Sequence, residues 1–239
     1  MNSVKAVFKK QVKDTYKNMS VLIQFIIYPA VAFAMTALVD VSDMGMPNAI
    51  FTTMLASVFV GMALVPGVAT IIAEDREKKS LRFLVMAGVK PSVYLLGVGG
   101  VTFIASLFPS IAFAFIGGFY GQKFWVFIAV MMSGVTASIL LGSTIGIFAK
   151  NQQAATGLAM PIAMVLGFGP MIAGFNEQVA RWFSPFYTQQ LNVVIDNFNT
   201  VGDYQSGTSL WQPFAIMWAN VVVLAVLFIL TFAKKGLRG

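Results

Sequence analysis

The sequence predicts an all-α integral membrane protein, one transmembrane domain over 1–239 with six transmembrane helices. An amphipathic interfacial helix precedes the first span, and a short cytoplasmic helix lies between the second and third. Three observations predict this. Stretches near 21–39, 50–73, 93–118, 124–149, 154–174 and 213–233 are apolar and uncharged, and each can cross a hydrocarbon core of about 30 Å as a helix. Fourteen of the 16 Lys and Arg fall in alternate connecting segments, including both ends. Basic residues near span ends resist translocation, so these segments and both termini are expected in the cytoplasm. At 58% apolar and 10% charged residues, the chain has too little polar surface for a soluble globule.

The same composition excludes several chemistries. With no Cys and no His, disulfides, thiolate chemistry and the commonest metal ligand are absent. All nine Asp and Glu lie outside the spans, so an intramembrane metal site or proton relay lacks its usual carboxylate. There is no Gly-x-x-x-x-Gly-Lys-Ser/Thr run to cradle a nucleotide phosphate. No cofactor is therefore expected on this chain, and energy for active transport would come from a partner. The +7 charge sits in the cytoplasmic segments, facing anionic membrane lipid rather than nucleic acid.

Along the chain, 1–20 carries two adjacent stripes. Val4, Phe8, Val12 and Tyr16 recur every four residues, followed one position later by Lys5, Lys9, Lys13 and Lys17. On a helix this places an apolar and a basic stripe side by side, the pattern of a helix lying on the inner membrane face. The alternative is a signal-peptide n-region, with Ala32-Phe33-Ala34 as the cleavage site. The length of the charged region and the apolar run beyond that site favour the interfacial helix.

The segment 74–91 begins Glu74-Asp75-Arg76-Glu77-Lys78-Lys79-Ser80-Leu81 and continues through Leu84 and Val85 to Pro91. Leu81, Leu84 and Val85 share a helical face, with Ser80 to cap its start, Gly88 to end it and Pro91 to open the third span. A solvated loop that merely sets topology is the alternative, but it leaves that apolar stripe unexplained. In span four, Gly134, Ser138, Gly142 and Gly146 form a small-residue face for close helix approach, within the chain or at a dimer seam. Pro29, Pro66, Pro109, Pro161 and Pro170 are expected to kink or break their spans. The outer segment 175–212, with Trp182, Phe183, Phe186, Tyr187 and Trp211, reads either as re-entrant short helices or as an interfacial aromatic belt.

The run Asp75-Arg76-Glu77, Ser80-Leu81 and Leu84-Val85 resembles the coupling loop of the type 2 ATP-binding cassette (ABC) transporter permeases, including multidrug and antibiotic exporters. In these an acidic-basic-acidic cluster precedes a Gly, a Thr or Ser and a leucine-rich turn. The span count, the N-terminal helix and the passage from Gly146 to Gln153 into a Pro-containing fifth span suit the same family. Lys79 stands where the family usually has Gly, and Ala87-Gly88 where Pro is common. The resemblance implies a permease in a cell membrane, bacterial by kind, that pairs with a second copy or a paralogue and binds cytoplasmic ATPase subunits carrying ATP and Mg. It would have Glu74, Arg76, Glu77 and Leu81 contact the ATPase, with Leu84 and Val85 packing into its groove.

Spans two and five line the pathway in the resembled family. Phe51, Met54, Val58 and Met62 share a face of span two, and Met160, Met164, Phe168 and Met171 one of span five. Flexible Met with Phe would suit a lipophilic or amphipathic cargo such as a peptide, drug or lipid, while lipid-facing or core packing is the competing use. A channel, a secondary carrier and a structural or immunity membrane protein acting without an ATPase are the other classes. The first two call for an intramembrane ionisable group or polar pore lining, which the spans do not show.

Overall fold

The computed structural model describes residues 8–13, 19–39, 49–80, 83, 86, 88, 91–200 and 210–235. Among these the protein is helical without strands. The long helices are α1 (Met19–Leu38), α2 (Ile50–Glu77), α3 (Pro91–Ile116), α4 (Gln122–Phe148), α5 (Gln152–Ala173) and α8 (Trp211–Lys235). Two shorter ones, α6 (Glu177–Phe183) and α7 (Tyr187–Thr200), lie between α5 and α8. Five helices, α2 to α5 and α8, are long and apolar enough to cross a membrane, and α1 adds a shorter apolar stretch at Leu22–Leu38.

α2 and α4 form the centre. The most apolar part of α2 is 78% buried, against 17% for α8, whose Val222, Val226 and Ile229 point outward. The small face of α4 explains the closeness of the central pair. A Cβ on Gly142 would lie 2.5 Å from the carbonyl oxygen of Val65, and one on Gly146 would lie 2.7 Å from that of Ala69. Ser138 on the same face donates to the Val60 carbonyl at 2.7 Å. This face therefore serves packing within the chain.

The helices run through their prolines without breaking, so of the expected kinks or breaks the breaks do not occur. α1 continues past Pro29, α3 past Pro109, and α5 past Pro161 and Pro170. α2 instead widens into a π-helical turn at Phe59–Ala63, just before Pro66. A proline ring presses on the carbonyl four residues back, here residue 62, and a wider turn gives it room. That turn also brings Gly61 against α5, where its Cβ would lie 2.8 Å from the Gly167 nitrogen.

The N-terminal segment is helical over the described residues 8–13. Its packed face differs from the expected Phe8/Val12 stripe. Gln11 is buried and Val12 is exposed, while the Phe8 ring comes within 3.7 Å of where a Cβ on Gly100 of α3 would stand. A neighbouring helix, rather than lipid alone, covers part of this face. Val4, Lys5, Tyr16 and Lys17 lie outside the described residues.

Candidate functional site: the charged turn after α2 and a cavity at the far end

The last turn of α2 carries Glu74, Asp75, Arg76 and Glu77. The helix stops because Lys79 takes a left-handed backbone, φ 58°, a region that favours glycine. This is the position where the resembled family usually has Gly. Helical geometry resumes at Ser80, Phe83 and Met86, and Gly88 at φ 77° suits the expected helix end. Pro91 opens α3. The Ser80 hydroxyl donates back to the Asp75 carbonyl at 3.0 Å and to its Oδ1 at 2.8 Å.

Each of three consecutive side chains binds a different part of the fold. Asp75, buried, accepts from Tyr94 Oη of α3 at 2.9 Å, from Ser80 and from Lys10 Nζ of the N-terminal helix. Arg76 donates to the carbonyls of Ile147 and, at 3.1 Å, Ala149. These belong to the end of α4, where carbonyls lack helical partners and a cation is favoured. Glu77 Oε2 accepts from the Gln152 backbone N–H at 3.3 Å, at the start of α5, where an anion is favoured. Asn151 completes that turn by accepting from Ala154 N at 2.8 Å. Glu74 pairs with Lys78 along the surface.

Of the sequence-derived coupling residues, Glu74, Arg76 and Glu77 therefore meet partners within the chain, whereas Leu81, Leu84 and Val85 lie outside the described residues. Sequence reasoning missed Asp75 as the centre of the cluster. It also missed Met86, which is 70% exposed on the following turn beside the 66% exposed Phe83. Replacing Arg76 by Ala is expected to cost about 1.5–3 kcal/mol, the worth of hydrogen bonds to a charged group. The check is a thermal melt of the purified chain; an unchanged midpoint would show that the end of α4 does not depend on this contact.

At the opposite end, α6 has no buried residue, while α7 buries Thr188, Leu191, Val194 and Ile195 against the bundle. Phe183 packs over Gly169 of α5, and Asn220 of α8 donates to the Pro185 carbonyl at 2.9 Å. Tyr187 reaches Ser138 at the middle of α4, 2.9 Å between the hydroxyls. From there α7 climbs outward along α2 and α5. Its buried Asn192 accepts from Ser57 Oγ at 2.8 Å and donates to the Pro170 carbonyl at 3.3 Å. Trp182 and Trp211 remain exposed, each 72%.

Between α7, the first turns of α2 and the end of α5 lies a cavity of about 180 Å³. Ile50, Thr53, Met54, Met171, Gly174, Phe175, Asn192 and Asp196 line it. Asp196 is exposed as a residue, yet desolvation raises its carboxyl to about 6.

This cavity brings together Met54 and Met171 of the eight residues on the two faces expected from sequence to line a pathway. Met62 instead packs at the crossing with Gly167, whose Cβ would stand 3.1 Å from it. Phe51 and Met160 are half-buried, and Met164 and Phe168 look outward from α5.

Long apolar helices around a tightly packed α2–α4 pair, with a charged turn clamping three of them at one end, define a multi-pass membrane protein. The chain matches the family model described as ABC-2 family transporter protein over residues 62–233. It belongs to that family, and so is a transmembrane transporter permease of the ABC class. No curated protein matches it. Permeases of this family generally work with a cytoplasmic ATPase.

Proposed function

We propose that this chain is the membrane-spanning subunit of an ATP-driven exporter in a cell membrane, moving a lipophilic or amphipathic substrate by alternating access. A separate ATPase with ATP and Mg supplies the energy, and a second permease copy or a paralogue completes the pathway. Both termini and the turn after α2 face the cytoplasm, α1 is the sixth span, and α6 and α7 form the outer re-entrant segment.

The observation that carries this reading is the Asp75-Arg76-Glu77 cluster. A push on the turn after α2 is passed at once to α3 through Tyr94, to the end of α4 through Arg76 and to the start of α5 through Glu77. Closure of an ATPase against that turn would therefore move several helices together. Phe83 and Met86, large and apolar in an otherwise charged surface, supply a docking face of the kind that marks protein contacts. The family resemblance assigns Glu74, Leu81, Leu84 and Val85 to the same contact.

Purification of the tagged chain from its native membrane in mild detergent is expected to bring down a P-loop ATPase in stoichiometric amount, with ATPase activity. Leu81→Asp and Phe83→Asp are each expected to reduce that co-purification at least about tenfold, because a buried unpaired carboxylate in an apolar contact costs more than 1.4 kcal/mol. A chain that purifies alone, or variants that retain the ATPase, would overturn the reading.

A further inference from the structure

We propose that the groove between α1 and α3 is a binding site for one acyl chain of a membrane phospholipid, whose polar head lies beside the aromatic cluster at the α3–α4 turn. This goes beyond the export reading and uses from it only that α1 stands in the membrane.

The groove has a volume of about 510 Å³, and all eight side chains that line it are apolar. Ile26, Ala30 and Phe33 come from α1, and Phe108, Ala112 and Phe115 from α3. The two alanines leave the space, and the three phenylalanines beside it are 63%, 63% and 56% exposed. The lining runs from residue 26 to 33 on one helix and from 108 to 116 on the other, about 10–12 Å at 1.5 Å per residue. That is most of the depth of one hydrocarbon leaflet of about 15 Å. Water finds no hydrogen bond in such a groove, and a charged ligand finds no partner. A helix, about 10–12 Å across with its side chains, can lie over a slot between two packed helices but not in it.

The end nearer the α3–α4 turn selects a lipid. Phe115 meets Tyr120 and Phe124, with ring centroids 6.3 and 5.8 Å apart, and Phe124 meets Trp125 at 5.3 Å. Tyr120 and Trp125 are 66% and 70% exposed. Rings of this kind sit at the level of lipid head groups, with the apolar body toward hydrocarbon and the O–H or N–H toward water. The groove thus offers an acyl-chain slot at hydrocarbon depth and an interfacial surface at its end, in the order in which a phospholipid presents its two parts. The connection 40–48, which follows α1 in sequence, carries Asp40 and Asp43, charges that hydrocarbon excludes.

The test uses the full chain in nanodiscs of phosphatidylethanolamine and phosphatidylglycerol. A trace of phosphatidylethanolamine carries a diazirine midway along one acyl chain, and adducts formed on irradiation are mapped by peptide mass spectrometry. Labelling of 26–33 and 108–116 is expected to be several-fold above that of 222–229 on α8, whose Val222, Val226 and Ile229 are comparably exposed. Ala30→Trp, at an exposed position, fills the slot and is expected to lower the label at 108–116 to the level of 222–229. Should that variant fold poorly, Ala112→Phe fills the slot from the other wall. Equal labelling of all three segments means boundary lipid only and overturns the proposal, as does label at 108–116 that survives both substitutions. Label at 108–116 without label at 26–33 takes α1 out of the site and overturns it too. Because the chain has no cysteine, Phe33→Cys carries a single thiol; its oxidation to a cross-linked dimer, with the groove unlabelled, replaces the lipid by a second copy. No ATPase enters these measurements, so failure of the lipid site is separable from failure of the export reading, which co-purification decides.

Discussion

Replacing Gly142 by Val is expected to be the most damaging single change in the helix bundle. The α-hydrogen of Gly142 faces the α2 backbone, and a Cβ there would stand 2.5 Å from the Val65 oxygen and 3.0 Å from Val68 Cβ. The obstacle is backbone, which cannot swing aside as a side chain can. α2 and α4 would have to separate along the best-buried contact in the molecule, losing the dispersion contacts and the Ser138 to Val60 hydrogen bond beside them. Overpacking a close-packed core costs typically about 1–3 kcal/mol, and an unyielding site lies at or above the upper value. Size-exclusion profiles after a heating series should show a much lower melting point and aggregation on extraction. Gly157→Ala is the matched control, because nothing lies within 4 Å of its added Cβ. A Gly142→Val protein that melts with the control would refute the close α2–α4 approach.

Asp75→Ala is expected to have the second largest effect, by a different route. The substitution removes the acceptor of Tyr94, whose side chain is 1% exposed, and an unsatisfied buried donor costs about 1–3 kcal/mol. It also leaves Ser80 only the Asp75 main-chain carbonyl as acceptor and breaks the Lys10 ion pair, loosening the N-terminal helix from the turn after α2. Loss of stability should therefore come with loss of whatever activity depends on that turn. The decisive comparison is with Tyr94→Phe and with the double variant. If the Asp75 carboxylate and the Tyr94 hydroxyl meet as described, the double variant should be less destabilised than the sum of the singles by about 0.5–3 kcal/mol. Strict additivity of the melting data would remove Tyr94 from the cluster.

Much of the architecture was legible because it follows from local pattern. Uncharged apolar runs foretold α2, α3, α4, α5 and α8 close to their observed bounds, Pro91 marked the start of α3, and the four-residue spacing of Gly134, Ser138, Gly142 and Gly146 marked a close contact. Of the expectation that prolines kink or break their spans, the break does not occur, because neighbouring helices support the backbone around them. α5 stays helical through both of its prolines, and the strain before Pro66 appears as a widened turn. In the N-terminal stripe Phe8 packs against α3, but Val12 is exposed and Gln11 buried, because the face that a neighbouring helix covers is not set by periodicity.

The candidate sites divide in the same way. The cluster 74–77 stood out in the sequence as charge at the edge of an apolar run, but nothing local showed that Asp75 would turn inward to Tyr94 and Lys10 while Arg76 and Glu77 reached the ends of α4 and α5. Likewise, Met54 and Met171 were marked by helical faces, and Asp196 was not marked at all. Class, helix positions and the charge asymmetry between alternate connections were written in composition and period, since water and hydrocarbon sort residues one at a time. Which polar group found which partner, and where a cavity opened, depended on packing between segments far apart in the chain, because a hydrogen bond or a void exists only once both of its sides are in place.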